Sequence, residues 1–147
     1  MNVTRRSFGD WHLISELEYL EIGDFLLIAE AVTGIKAELL AEMPRVVDLA
    51  SSALAVPRSG WRDKEAYPEF AQKAGLLASR LAKNHPLPDG NKRAAWLPMI
   101  EFVERNGYVL AQPETDEAVD VVVRLASGDL PEADFVDWVR SRLTLAV

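Results

Sequence analysis

Apolar residues recur at the spacing of a helix along most of this chain, and no long stretch alternates with a period of two. Ile22, Phe25, Ala29 and Val32 lie three or four positions apart, and Gly34 follows them where helices commonly end. Five further segments show the same spacing: 44–55, 70–81, 96–103, 118–125 and 135–142. The pattern predicts an all-α fold. Short extended pieces at 56–61 and Tyr108–Leu110 leave room for one small β-hairpin.

Several helix boundaries are indicated by their capping residues. Thr115 is a predicted N-cap for the segment 118–125, and Gly128 is its predicted stop. Pro131 is expected to open the last helix, because proline is tolerated in a first turn. Pro98 lies inside the segment 96–103, where it should remove one backbone hydrogen bond and kink the helix.

The length and composition of the chain fit a single globular domain. It has 147 residues, and domains typically have roughly 100–200. It contains no cysteine, which excludes a disulfide framework, a cysteine-based zinc site and a thiol nucleophile. A chain without cysteine is compatible with the reducing cytoplasm, where we expect this protein.

The charge of the chain bears on its partners. The net charge of −7 argues against direct nucleic-acid binding, since such proteins gain affinity by neutralising phosphates with Lys and Arg. Arg5 and Arg6 resemble an export signal, but Asp10 and His12 follow where that signal needs an apolar stretch. No charge-free run approaches the roughly 18 apolar residues of a membrane span. We therefore expect no nucleic acid and no membrane among its partners.

The segment 85–93, His-Pro-Leu-Pro-Asp-Gly-Asn-Lys-Arg, has the most chemically distinctive sequence of the chain. Its prolines and glycine predict a loop that leads into a helix with Lys92 and Arg93 in the first turn. Cations are mildly unfavourable there, so this placement beside free amides indicates a phosphate site. Asp89 is a candidate Mg²⁺ ligand beside phosphates, and His85 a candidate general base for an attacking hydroxyl. The segment predicts a phosphoryl- or nucleotidyl-transfer site.

Each of these residues also has a simpler explanation on its own. His85 could be a helix-capping histidine, Asp89 an N-cap or turn residue, and Asn91 another cap. Lys92 and Arg93 could be part of a solvated face. Only the ordered combination favours the catalytic interpretation.

The segment resembles the signature of the Fic/Doc family, which reads His-x-Phe-x-[Asp/Asn]-[Ala/Gly]-Asn-Lys-Arg in its Doc branch. Leu87 replaces the family's Phe, and as an apolar residue it should still anchor the loop in the core. The segments 67–84 and 101–108 are similar to the helices that flank the Doc motif. The resemblance extends over about 17–143, so 17–147 is interpreted as a Fic/Doc domain and 1–16 as an N-terminal extension of unassigned role.

The resemblance implies a role for each matching residue. His85 would deprotonate a hydroxyl of a target protein, Asp89 would hold Mg²⁺, and Arg93 would contact phosphate and stabilise developing charge. Gly90 and Asn91, with the helix amides, would cradle the phosphates of ATP or another nucleoside triphosphate. A flap that docks the target by strand addition is implied at Arg58, Ser59, Gly60, Trp61 and Arg62.

Two positions bear on which group is transferred. AMP-transferring members of the family resemble one another in Gly-Asn-Gly-Arg-x-x-Arg, whereas this chain has Lys92 for the second glycine and Trp96 for the second arginine. The lysine would crowd the usual nucleotide pose, and a bidentate phosphate contact is lost. Both changes resemble Doc, a toxin that binds the nucleotide in the reversed sense and phosphorylates a translation elongation factor. Phosphate transfer is therefore favoured over AMP transfer.

The resemblance also implies a second partner, because the chain lacks the Ser/Thr-x-x-x-Glu-Gly/Asn stretch of the family's built-in inhibitory helix. Control would then come from a separate antitoxin protein. Two alternatives stay open, an AMP transferase and a non-enzymatic binding module, although the joint presence of the motif residues speaks against the latter. A zinc hydrolase built on His85 and Asp89 is less favoured, since His12 is the only other imidazole.

Overall fold

The computed structural model describes residues 17–147, and the extension 1–16, with Arg5, Arg6 and His12, lies outside them. Seven α-helices run through the described residues: α1 (Ile22–Thr33), α2 (Ala37–Leu40), α3 (Pro44–Leu54), α4 (Phe70–Asn84), α5 (Arg93–Arg105), α6 (Thr115–Ser127) and α7 (Glu132–Arg142). Two antiparallel strand pairs accompany them: β1 (Gly60–Trp61) with β2 (Lys64–Glu65), and β3 (Tyr108–Leu110) with β4 (Leu143–Leu145). The predicted all-α fold is confirmed.

The core is built around α4, which packs against α3, α5, α6 and α7. Gly75 on α4 allows α7 to approach closely, since a Cβ added there would lie 3.0 Å from Val136 Cγ2. The helix α4 is buried along most of its length, from Ala71 to Ala82. Its carboxyl end leads directly into the segment 85–93.

The structure corrects three details of the sequence interpretation. Val56–Arg58 forms a 3-10 helix rather than an extended piece, and the hairpin begins only at Gly60. Glu114 rather than Thr115 is the N-cap of α6, because Glu114 still has extended ψ whereas Thr115 is already helical. The strand Leu143–Leu145 and the short helix Ala37–Leu40 were not predicted, since neither is long enough to show a periodic pattern.

The helix α5 continues from Arg93 to Arg105 with the buried Pro98 inside it. None of the helices of residues 17–147 combines the length and the apolar character needed to cross a bilayer.

Candidate active site

His85 lies at the point where α4 ends and the loop 85–92, called the motif loop below, begins. Its backbone has a φ of 54°, in the left-handed region that residues other than glycine rarely adopt. Two contacts from α3 hold this turn: Arg45 Nη2 donates to the His85 carbonyl at 3.3 Å, and Asn84 Nδ2 donates to the Leu49 carbonyl at 3.0 Å. The imidazole is exposed, so the strained backbone presents it to a solvent-accessible site.

Asn91 closes the motif loop from within. Its side-chain oxygen accepts from the backbone N–H of Leu87 at 2.9 Å, and its amide nitrogen donates to the Leu87 carbonyl at 2.8 Å. Both side chains are buried, and Leu87 packs in the main core as expected. The amide of Asn91 is therefore engaged in shaping the loop, and its backbone N–H is the group left for a phosphate.

Gly90 occupies a position that leaves no space for a side chain. Its φ is +78°, and a Cβ built on it would lie 2.5 Å from Val32 Cγ1 at the end of α1. The backbone N–H of Gly90 donates to Oδ1 of Asp89 at 2.8 Å, and Asp89 is exposed. The loop therefore turns tightly against α1 with one carboxylate on its outer side.

The start of α5 has the features of an anion site. The backbone N–H groups of Asn91, Lys92 and Arg93 donate to no acceptor within residues 17–147, and the first N–H engaged is that of Ala94, which bonds to the Gly90 carbonyl. Lys92 and Arg93 are exposed, and no carboxylate of the described residues lies within ion-pair distance of either. Free amides, a helix dipole and two cations suit a phosphate.

The donor set at Asp89 fits Mg²⁺ that is bound together with a nucleotide. Mg²⁺ is usually held through one or two carboxylates plus substrate phosphates, and Asp89 supplies one carboxylate beside the anion site. Residues 17–147 contain no cluster of three or more His, Asp or Glu side chains arranged around a metal position.

A cavity of about 710 Å³ is lined by the motif loop, and its lining falls into two groups of residues that differ in charge. All its titratable lining residues belong to the motif: His85, Asp89, Lys92 and Arg93. Beyond them the lining is uncharged and mostly apolar, formed chiefly by Trp96, Leu97, Ala118, Val119 and Val122. The sequence interpretation missed this second wall, because residues of α6 were assigned to a core stripe. Val119, an apolar residue outside that stripe, was the available signal in the sequence.

The predicted flap corresponds in part to a hairpin. Gly60 and Trp61 form β1, and Arg62, with a φ of 61°, begins the turn toward β2. Arg58 belongs instead to the preceding 3-10 helix, where its guanidinium bonds Glu21 at 3.0 Å. The hairpin strands are exposed, and Trp61 is 75% exposed. A strand edge of this kind is open to pairing with another chain.

Two comparisons with known proteins give a match. Residues 15–103 match the model of a family described as the Fic/DOC family. The chain is 34% identical over 113 residues to a protein of Mycolicibacterium smegmatis named Toxin Doc, an alignment that covers 76% of this chain and 83% of that protein. No solved structure matches the chain significantly.

Proposed function

This chain belongs to the Fic/DOC family, in its Doc branch, and on that premise we propose that it is the toxin of a toxin–antitoxin pair. In this proposal it is an enzyme that transfers the terminal phosphate of ATP, or of another nucleoside triphosphate, to a Ser or Thr hydroxyl of a target protein. By resemblance to Doc, the target is a translation elongation factor and the reaction takes place in the cytoplasm.

The separation of charge within the cavity supports a nucleotide as the co-substrate. A nucleotide has an apolar base at one end and a charged triphosphate at the other. The uncharged wall of Trp96, Val119 and Val122 suits the base, and the motif loop suits the phosphates. The choice of the γ-phosphate over the α-phosphate rests on Lys92 and Trp96, which stand where AMP-transferring members of the family have a glycine and a second arginine.

The proposed reaction uses few groups of the protein. The target's hydroxyl oxygen bonds to the γ-phosphorus, its proton passes to the imidazole of His85, and the bond to the β–γ bridging oxygen breaks to release the nucleoside diphosphate. Arg93, Lys92 and the free amides of α5 stabilise the negative charge on the phosphoryl oxygens. Asp89 would hold Mg²⁺, which neutralises phosphate charge when it is bound.

Two partners complete the proposal. The hairpin at Gly60 and Trp61 would dock the target as an added strand, supported by its exposed edges. A cognate antitoxin would control the activity, in keeping with the similarity to Toxin Doc.

The experiment is to incubate the purified protein with Mg²⁺, a bacterial lysate and ATP labelled at either the α or the γ phosphate. We expect label on protein from the γ position alone. The variant His85→Asn, which keeps a residue tolerant of left-handed backbone, should fold normally and label roughly 10²–10⁴-fold more slowly.

Transfer from the α position would identify an AMP transferase and contradict the argument from Lys92 and Trp96. Absence of label from both positions, with His85→Asn as toxic in cells as the wild type, would identify a binding module.

A further inference from the structure

Lys73 is a fully buried lysine that the proposed reaction does not use. It lies near the start of α4, with a relative exposure of 0%. Burial of an ammonium group is costly unless it is paired and hydrogen-bonded. Its surroundings should therefore explain why an apolar residue does not occupy the position.

Three groups from different parts of the chain meet at the Lys73 ammonium. It donates to the Pro57 carbonyl at 2.7 Å and to Glu65 Oε1 at 2.6 Å. The ring of Tyr19 lies 5.6 Å away, at cation–π distance. The three partners come from the 3-10 helix, the strand β2 and the segment before α1. One side chain of α4 thus connects the core to the base of the hairpin and to its second strand.

Glu65 is the point at which this connection reaches the hairpin. Within residues 60–65, its ion pair with Lys73 is the one side-chain hydrogen bond that the described structure makes to the rest of the fold. The adjoining backbone bond from Ala66 N–H to the Ser59 carbonyl, at 2.9 Å, only closes the hairpin on itself. The direction in which the exposed strands project therefore depends on Lys73 and Glu65.

We propose that Lys73 is a positioning residue that fixes the orientation of the target-docking hairpin through Glu65, an inference that rests on the docking role in the proposed function. Lys73 is buried while the Glu65 side chain is 40% exposed, so the pair contributes little net stability compared with an apolar contact, but it specifies one geometry. The same rigid helix α4 carries Lys73 near its start and ends at His85. The pair therefore sets the docked target strand relative to the catalytic base.

The test uses three variants: Glu65→Gln, Lys73→Met and the double variant that combines them. Asp63→Asn is the control. Asp63 lies in the same hairpin, and its carboxylate forms no ion pair within residues 17–147. Hydrogen exchange of the Ala66 amide reports hairpin order and does not depend on activity. We expect about tenfold faster exchange in the three test variants and unchanged exchange in the control.

Labelling from γ-labelled ATP across a dilution series of bacterial lysate separates positioning from a purely structural role. The test variants should need about tenfold more lysate for half-maximal rate, with the maximal rate within about twofold of the wild type. In the double variant stability should recover, because no charge is left buried without its partner, whereas exchange and labelling should stay impaired.

Unchanged exchange in Glu65→Gln would overturn the proposal, as would a fall in maximal rate at constant half-saturation. If the wild type labels no protein at all, the proposed function fails, and the exchange measurement alone decides whether Lys73 orders the hairpin.

Discussion

Gly90 and Val32 lie so close that a single methyl group on Gly90 would come within 2.5 Å of Val32 Cγ1. The contact joins the motif loop to the carboxyl end of α1, two segments far apart in the sequence. Glycine is therefore needed at this position for two reasons, the left-handed φ and the lack of space for a Cβ.

Gly90→Ala should lower the free energy of unfolding by about 2–5 kcal/mol, from about 1–2 for the left-handed backbone and about 1–3 for overpacking. Gly128→Ala is the matched control, because Gly128 also has a positive φ but a Cβ there meets no atom within 4 Å. Denaturant unfolding measures both. The double variant Gly90→Ala/Val32→Ala should be less destabilised than the sum of its single changes. Equal losses for Gly90→Ala and Gly128→Ala would show that the contact with Val32 exerts no constraint.

Asn91→Ala should destabilise the protein by about 1–3 kcal/mol, because the buried N–H and carbonyl of Leu87 lose their partners. It should also weaken binding of a non-hydrolysable ATP analogue about tenfold or more, since the loop would no longer hold its shape. Asn106→Ala is the control. Asn106 is buried and bonds the N–H and the carbonyl of Glu18 in the same way, outside the cavity lining.

Thermal unfolding and calorimetric titration with the analogue should show a stability loss in both asparagine variants and an affinity loss in Asn91→Ala alone. A similar loss of affinity in both would mean that general destabilisation accounts for the effect.

Val119→Asp should reduce affinity for the Mg²⁺-bound ATP analogue by about tenfold, because a carboxylate in the apolar wall disfavours the base and repels the phosphates. Val123→Asp tests the same change one turn further along α6. Val119 and Val123 are 55% and 40% exposed, so both variants should fold, and only Val119 lines the cavity. Titration calorimetry measures both affinities. Equal affinities for the two variants would show that the base does not bind against this wall.

Protonation of Glu132 should weaken the contact between α4 and α7 at acid pH. Burial acts to raise the pKa of Glu132, but hydrogen bonds from Arg80 and Ser79 and the nearby Lys83 outweigh it, and the pKa lies below its ordinary value. A depressed pKa contributes stability above the unfolded-state pKa, and this stability is lost as the pH falls through the folded-state pKa.

The free energy of unfolding of Glu132→Gln should therefore be lower than that of the wild type by about 1–3 kcal/mol near neutral pH. The difference should shrink below about pH 4.5, where an unperturbed glutamate becomes protonated. Urea unfolding between pH 3 and 7 measures it. A difference that stays constant over this range would assign the effect to packing rather than to charge.

The sequence by itself determined the helices with long apolar repeats and the position of the motif loop. The spacing of Phe70, Ala74, Leu77 and Leu81 predicted α4, because one helical face must be buried whatever it packs against. The order of residues 85–93 likewise predicted a loop leading into a helix and its resemblance to the Fic/Doc motif. These properties are local, since they depend on residues a few positions apart.

Only the tertiary structure decided what depends on distant segments meeting. The proximity of Val32 to Gly90, the second cavity wall on α6 and the burial of Lys73 against Glu65 each join residues that no periodic pattern relates. The strand Leu143–Leu145 exists only because Tyr108–Leu110 supplies its hydrogen-bonding partner. Three residues carry too little local preference to form a strand alone, so the packing of α5 and α7 against α4, which brings the two strands together, determines it.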